Sequence, residues 1–298
     1  MKKVLFSLLA IMYCFTAVNA QSIIDADEQR NPNDFYQKEI VSGKKAMPYP
    51  VVRESDVVWE TVIWREIDFN EKFNQFFYFP KDPTQQTQGR ISLINLIMRN
   101  VRSGEIPTYE DDDMKKELDV AEAIKMLTGA PIQTTEAIVD EDGNPVYDEE
   151  TDEIMTRVVT KIRDFDSSLV MKIKLKEKWY IDKQDTRQKV RIVGLCFQFD
   201  KELISGNTSK EWSFWVPMDD MRVRQMLVNA NAYDENNDKV ERSYDDIFIQ
   251  RYFDSYIVRE SNTYNRAISE YLTGEDAIME SQKIEDKIFD IESDMWEY

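Results

Sequence analysis

From residue 171 to 179 the chain alternates in two registers. Met171, Ile173, Leu175 and Trp179 hold the odd positions, Lys172, Lys174, Lys176 and Lys178 the even ones, and only Glu177 interrupts the apolar set. Successive side chains of a strand point to opposite faces, so this period of two sets four lysines on one side of a sheet and an apolar row on the other. Asp182-Lys183-Gln184-Asp185 then supplies a turn, and the nearly all-apolar residues 190–199 predict a central strand paired with the first. Further strands are expected at 132–139 and 153–161, flanking the turn-rich residues 140–145, and at 212–216.

Helical spacing accounts for much of the rest. Ile91, Ile94, Ile97, Met98 and Val101 predict a helix over 91–101, and others are expected at 114–127, 218–227 and 244–257. Ser55 reads as the N-cap of a helix through Trp64, and Pro80 stops whatever continues from Asn70. The crowd of rings between Trp59 and Phe79 predicts core, with an interface as the sharper alternative. Together these elements predict an α+β fold: a single mixed body over 51–272, with a central antiparallel sheet and flanking helices. No repeat of 20–50 residues is present to suggest a solenoid or propeller.

The ends differ from this body. Lys2 and Lys3 precede an apolar run that closes on Val18-Asn19-Ala20, the pattern of a signal peptide cleaved after Ala20. The run is too short for the roughly 20 residues of a membrane span. Residues 21–50, polar and broken by Pro32, Pro48 and Pro50, read as an extended arm, disordered alone or ordered on a partner. The chain closes on an acidic helix over 275–296, with Thr273 as N-cap. In it Ala277, Ile284, Ile288, Ile291 and Met295 form a narrow apolar seam, which either docks on the protein's own body or takes a partner helix.

Composition excludes several kinds of chemistry. The sequence has no histidine, which removes Ser-His-Asp and Cys-His nucleophile systems and every histidine-containing zinc site. Only Cys196 remains beyond the expected leader, within an apolar run, so no internal disulfide is expected and the thiol reads as a small buried hydrophobe. The formal charge of −19 becomes −21 once the two leader lysines are removed, which disfavours nucleic acid and bare anionic membrane as partners. No catalytic, cofactor-binding or metal-ligating residue stands out. The acidic run Glu110-Asp111-Asp112-Asp113 lacks the Asp-x-Asp-x-Asp-Gly order of a calcium loop and reads as charge at the start of the helix expected at 114–127.

Charge is unevenly spread. Residues 161–191 hold ten Lys and Arg against five Asp and Glu, whereas 105–155 hold 17 acids against three lysines. These segments either neutralise one another within a protomer or join copies head to tail, a contact that builds rings or filaments. Lys172, Lys174, Lys176, Lys178, Ile284, Ile288 and Ile291 are therefore the candidate partner-contact residues.

One block is more specific. Arg53-Glu54-Ser55-Asp56-Val57-Val58-Trp59, followed by Trp64-Arg65, Ile67-Asp68, Glu71-Lys72, Asn74 and Tyr78-x-Pro80, resembles the gliding-motility family GldN, called PorN in non-gliding relatives. The resemblance implies a non-enzymatic periplasmic component of the type IX secretion and gliding machinery of Bacteroidota, with no cofactor. It implies as partners an outer-membrane lipoprotein of the GldK or PorK type, with which rings form beneath the outer membrane, and the motor protein GldM or PorM. It carries no catalytic residues and no contact positions. A periplasmic glycan-binding or carboxylate-based carbohydrate-active protein is the alternative, motivated by six tryptophans and abundant acids. That reading needs exposed aromatic platforms, and burial of Trp59, Trp64, Trp179, Trp212 and Trp215 would remove its support.

Overall fold

A computed structural model describes residues 44–81, 90–128, 132–137, 156–161, 165–185, 187–202, 208–234, 237 and 241–296. The compact unit spans Lys45–Tyr298, distinct from Met1–Lys44. The expected leader and most of the expected arm, residues 1–43, lie outside the described residues.

The expected mixed α+β body with a central antiparallel sheet is what forms. Its strands are β1 (Val57–Asp68), β6 (Lys172–Asp182), β7 (Gln188–Glu202), β8 (Thr208–Trp212), β9 (Val216–Pro217) and β10 (Tyr256–Glu260). Two-stranded ribbons are made by β2 (Thr108–Tyr109) with β3 (Glu117–Leu118), and by β4 (Ile132–Ala137) with β5 (Thr156–Lys161). The helices are α1 (Leu93–Arg102), α2 (Val120–Leu127), α3 (Met221–Asn229), α4 (Tyr244–Gln250) and α5 (Glu275–Trp296). The main sheet runs β10-β1-β6-β7-β8, with β9 also on β7, and all its pairs are antiparallel.

Four sequence expectations need correction. The helix expected after Ser55 is the long strand β1, because Val57, Val58, Thr61, Val62, Ile63 and Ile67 are β-branched and Trp59 and Trp64 aromatic, side chains that suit a pleated surface. The helix expected at 114–127 begins only at Val120, where Asp119 and Glu122 form a capping box; the acidic run before it occupies the β2–β3 turn, with Met114 at φ 53°. The helix expected at 244–257 ends at Gln250, because Arg251 adopts a left-handed conformation, and residues 256–260 form β10 instead. The strand expected at 212–216 is the junction of β8 and β9, interrupted at 213–215.

One sheet face carries the main core. Ile67, Ile173, Leu175, Leu195, Phe197 and Phe199 pack with the buried sides of α1, α3 and α4 and with Phe69 and Phe77. Ser92 caps α1, its hydroxyl accepting from the Asn95 N–H at 3.4 Å. A second cluster joins Ile284 and Ile288 of α5 to Ile63, Ile257 and Ile268. Burying an isoleucine contributes roughly 1.5–3 kcal/mol, so these two anchor the helix. The edge of β10 is closed as well, since the Ile257 N–H donates to the Ser281 hydroxyl at 2.9 Å.

Candidate functional site

The lysine row of β6 is set against β1 in register: Lys172 opposite Asp68, Lys174 opposite Glu66, Lys176 opposite Trp64 and Lys178 opposite Val62. Directly opposed residues share a face, so strand pairing itself brings cations to carboxylates and rings. Lys172 Nζ donates to the Tyr256 hydroxyl at 2.9 Å and lies 3.6 Å from Asp68. Lys174 lies 3.3 Å from Glu66 and 3.7 Å from the centre of the Trp212 ring. Lys178, about half exposed, reaches Glu60 at 2.9 Å.

Lys176 is the buried member. Its ammonium donates to the Asp112 carbonyl at 2.7 Å and lies 3.4 Å from Asp113, both on the β2–β3 turn. The Asp112 carboxylate also accepts from the Trp64 indole at 3.1 Å and lies 3.8 Å from Arg259, whose guanidinium covers the Trp64 ring at 3.7 Å. The acidic run is thus folded onto the lysine face of the same chain, so this part of the split charge is paired within the protomer; residues 138–155 of the acidic segment lie outside the described residues. A buried ammonium requires such partners.

Gly194 permits the closure. It pairs with Lys176 on β7, and a Cβ there would collide with the Met114 methyl and stand 3.2 Å from Trp215. Tyr109 and Trp215 then exchange backbone hydrogen bonds of 2.9 and 2.7 Å, fastening β2 to the sheet.

The electrostatics follow the geometry. Hydrogen bonds from Lys115 and then Lys176 hold the Asp113 carboxyl below the usual aspartate range. Burial works against the charge on Lys172, but Tyr256, Glu66 and Asp68 outweigh it and leave its pKa raised. Burial raises Tyr256, and it pushes the Cys196 thiol far above its ordinary value, which keeps that residue a protonated hydrophobe. Beside the ladder lies a groove of about 650 Å³, lined among others by Trp64, Glu66, Lys172, Lys174, Trp212 and Tyr256.

The other candidate residues sit apart from this face. Ile284 and Ile288 are buried on the chain's own sheet and Ile291 is half-buried, so the seam of α5 is largely occupied. Trp64 and Trp215 are buried, while Trp59, Trp179 and Trp212 are half-buried. Cations stand over Trp64, Trp179 and Trp212, which engages the ring faces a sugar would stack on. Among the described residues no group of three or more His, Cys, Asp or Glu side chains gathers as a metal would need, and no helix is long and apolar enough to cross a membrane.

Sequence reasoning missed the buried charges. Glu177, noted only as an interruption, is fully buried on the opposite face, where it meets Arg251 at 2.7 Å, Arg65 at 3.4 Å and the Trp179 indole at 2.9 Å. Arg65 reaches on to Glu285 of α5 at 2.7 Å. Arg224 pairs with Asp245 at 2.9 Å, and its guanidinium stacks on Tyr49, which also carries Arg191. Asn74, wholly buried, donates to the Asp68 and Asp254 carbonyls and to Glu71, and accepts from the Asp254 N–H. Glu177 was visible as a charge out of phase with its strand; the others gave no comparable signal.

Fold and site together define an α+β protein whose charged sheet face is paired with an acidic hairpin and whose closing helix is clamped through a buried carboxylate. Many residues of the specific aromatic block serve this construction, Trp64, Arg65, Asp68, Glu71 and Asn74 among them. The model of the family described as gliding motility associated protein GldN matches residues 52–297, almost the whole compact unit, and the chain belongs to that family. It is thereby a component of the gliding motility and type IX secretion machinery, of a family known for a structural part in gliding. No curated protein matches the chain.

Proposed function

We propose that the protein is a non-enzymatic periplasmic ring subunit, exported by a signal peptide cleaved after Ala20, that joins an outer-membrane lipoprotein of the GldK or PorK type to the periplasmic part of a GldM- or PorM-type motor. The observation that carries this reading is the family match running unbroken over the folded body. The construction supports it. A link that carries force between two membranes has to resist local opening, and here α5, the acidic hairpin and residues 46–49 are each fastened to the sheet or to α3 by buried or partly buried polar contacts.

Within this reading the lysine ladder and the seam of α5 meet partners through the groups still accessible. Lys178 is the most exposed rung, and Ile291 the least buried isoleucine of the seam. The test is capture of the tagged protein from detergent-solubilised envelopes, followed by imaging of the complex. The lipoprotein should be recovered in ring-shaped particles; recovery of the protein alone, with the lipoprotein intact in the same extract, contradicts the assignment.

A further inference from the structure

Helix α5 has two apolar stripes. The inner one, Ile284 and Ile288, is buried on the sheet. The outer one presents Ile278, Met279 and Phe289, which are 67%, 56% and 69% exposed. Ile278 and Phe289 are eleven residues apart, three helical turns and roughly 16 Å along one face at 1.5 Å per residue. Eight acidic residues against Lys283 and Lys287 surround both stripes. An isolated phenylalanine at a surface is ordinary, but Ile278 and Phe289 in line, with Met279 about 100° round the helix from Ile278, leave a broad apolar side open to a contact.

A surface of the opposite character lies elsewhere on the body. The 3₁₀ segment Lys72–Phe77, the chain through Lys81 and the end of α4 enclose a groove of about 850 Å³. Phe73, Phe79 and Tyr252 line it and are 47%, 37% and 40% exposed. Its charged lining is Lys72, Lys81 and Arg242 against Asp234, and Arg242 stands over the Tyr252 ring at 4.0 Å.

We propose that the outer stripe of α5 docks into the aromatic, basic groove of a second copy of this chain. Charge and apolar character agree: an acidic helix with exposed apolar side chains meets a groove walled by rings, with three cations against one carboxylate. The chain cannot satisfy the contact alone, because α5 is fixed to its own sheet through Ile284, Ile288, Ser281 and Glu285, which leaves Met279 and Phe289 exposed and Ile278 at the lip of the groove beside the lysine ladder. A symmetric α5–α5 contact would set two strongly acidic helices side by side, and like charges oppose it. The contact is therefore heterologous, so the first and last copies of any chain of contacts keep one unfilled groove and one free helix stripe. It rests on these two surfaces and not on the lipoprotein or motor.

The test uses the full chain as processed by the cell, followed by sedimentation equilibrium from low micromolar concentration upward. The unaltered protein should associate progressively at low salt, and less at high salt. Phe289→Asp, and separately Lys72→Glu with Lys81→Glu, should each weaken association at least tenfold while unfolding as the parent does, since all three positions are exposed. Mixing the two variants gives the sharpest readout. One retains an intact groove and the other an intact helix, so the mixture should stop at a one-to-one dimer. A parent that remains monomeric at low salt, a variant that associates like the parent, or a mixture without dimer each overturns the proposal. Lipoprotein capture reads the proposed function independently, so failure here leaves that assignment standing.

Discussion

Replacing Glu177 by glutamine tests how the sheet is tied to its closing helix. The substitution keeps the shape but removes the one negative charge between Arg251 and Arg65, in a site with no exposure to solvent. Breaking a buried pair by removing one partner costs about 3–5 kcal/mol, chiefly because the remaining charge is stranded. Two features put the expected loss near the lower bound, at about 3 kcal/mol. Arg65 keeps Glu285 at 2.7 Å, and Arg251, about one-quarter exposed, can turn to water. At about 2–4 °C per kcal/mol for a chain of this size, the melting temperature should fall by about 6–12 °C. Thermal unfolding followed by circular dichroism measures this, and hydrogen exchange should rise first in α5 around residues 281–288. A drop of less than about 2 °C would refute the claim that Glu177 is a structural anchor.

Three further outcomes follow from the site. Gly194→Ala should destabilise the protein by about 1–2 kcal/mol, since Met114 has to swing away from the new methyl, and should speed exchange of the Tyr109 N–H that bonds Trp215. Asp113 should titrate below an ordinary aspartate when followed by carboxyl NMR; its pairing with Lys115 and Lys176 is complete above the usual aspartate pKa and lost as pH falls through the depressed one, and Lys176→Met should move the midpoint upward. Tyr49→Ala removes a ring held between guanidiniums at 4.2 and 4.9 Å, which should cost roughly 1 kcal/mol and accelerate tryptic cleavage at Lys45 with little change elsewhere.

The sequence made the architecture legible wherever one period was uncontested. The alternation of β6 and the apolar run of β7 gave strands that pair as expected, and the seam of α5 gave a helix with the expected bounds. β1 was misread because Ser55 resembles a cap and the rings that follow suit helix and strand alike; the deciding partner, β6, lies more than a hundred residues away. The end of α4 was misread because the left-handed turn at Arg251 has no glycine to announce it. The charged segments were recognised from counting alone, but their pairing depends on the approach of Met114 to Gly194, a tertiary fact. The family block was likewise readable as a pattern, while the reason for its residues emerged only with their partners: Asp112 for Trp64, Glu177 and Glu285 for Arg65, Asp254 for Asn74.

The central assignment, a structural part of the type IX machinery, is tested most directly by deleting the gene and quantifying type IX cargo in the culture medium. Cargo should accumulate inside the deletion strain, and a plasmid-borne copy should restore its release. Undiminished release from the deletion strain would contradict the account.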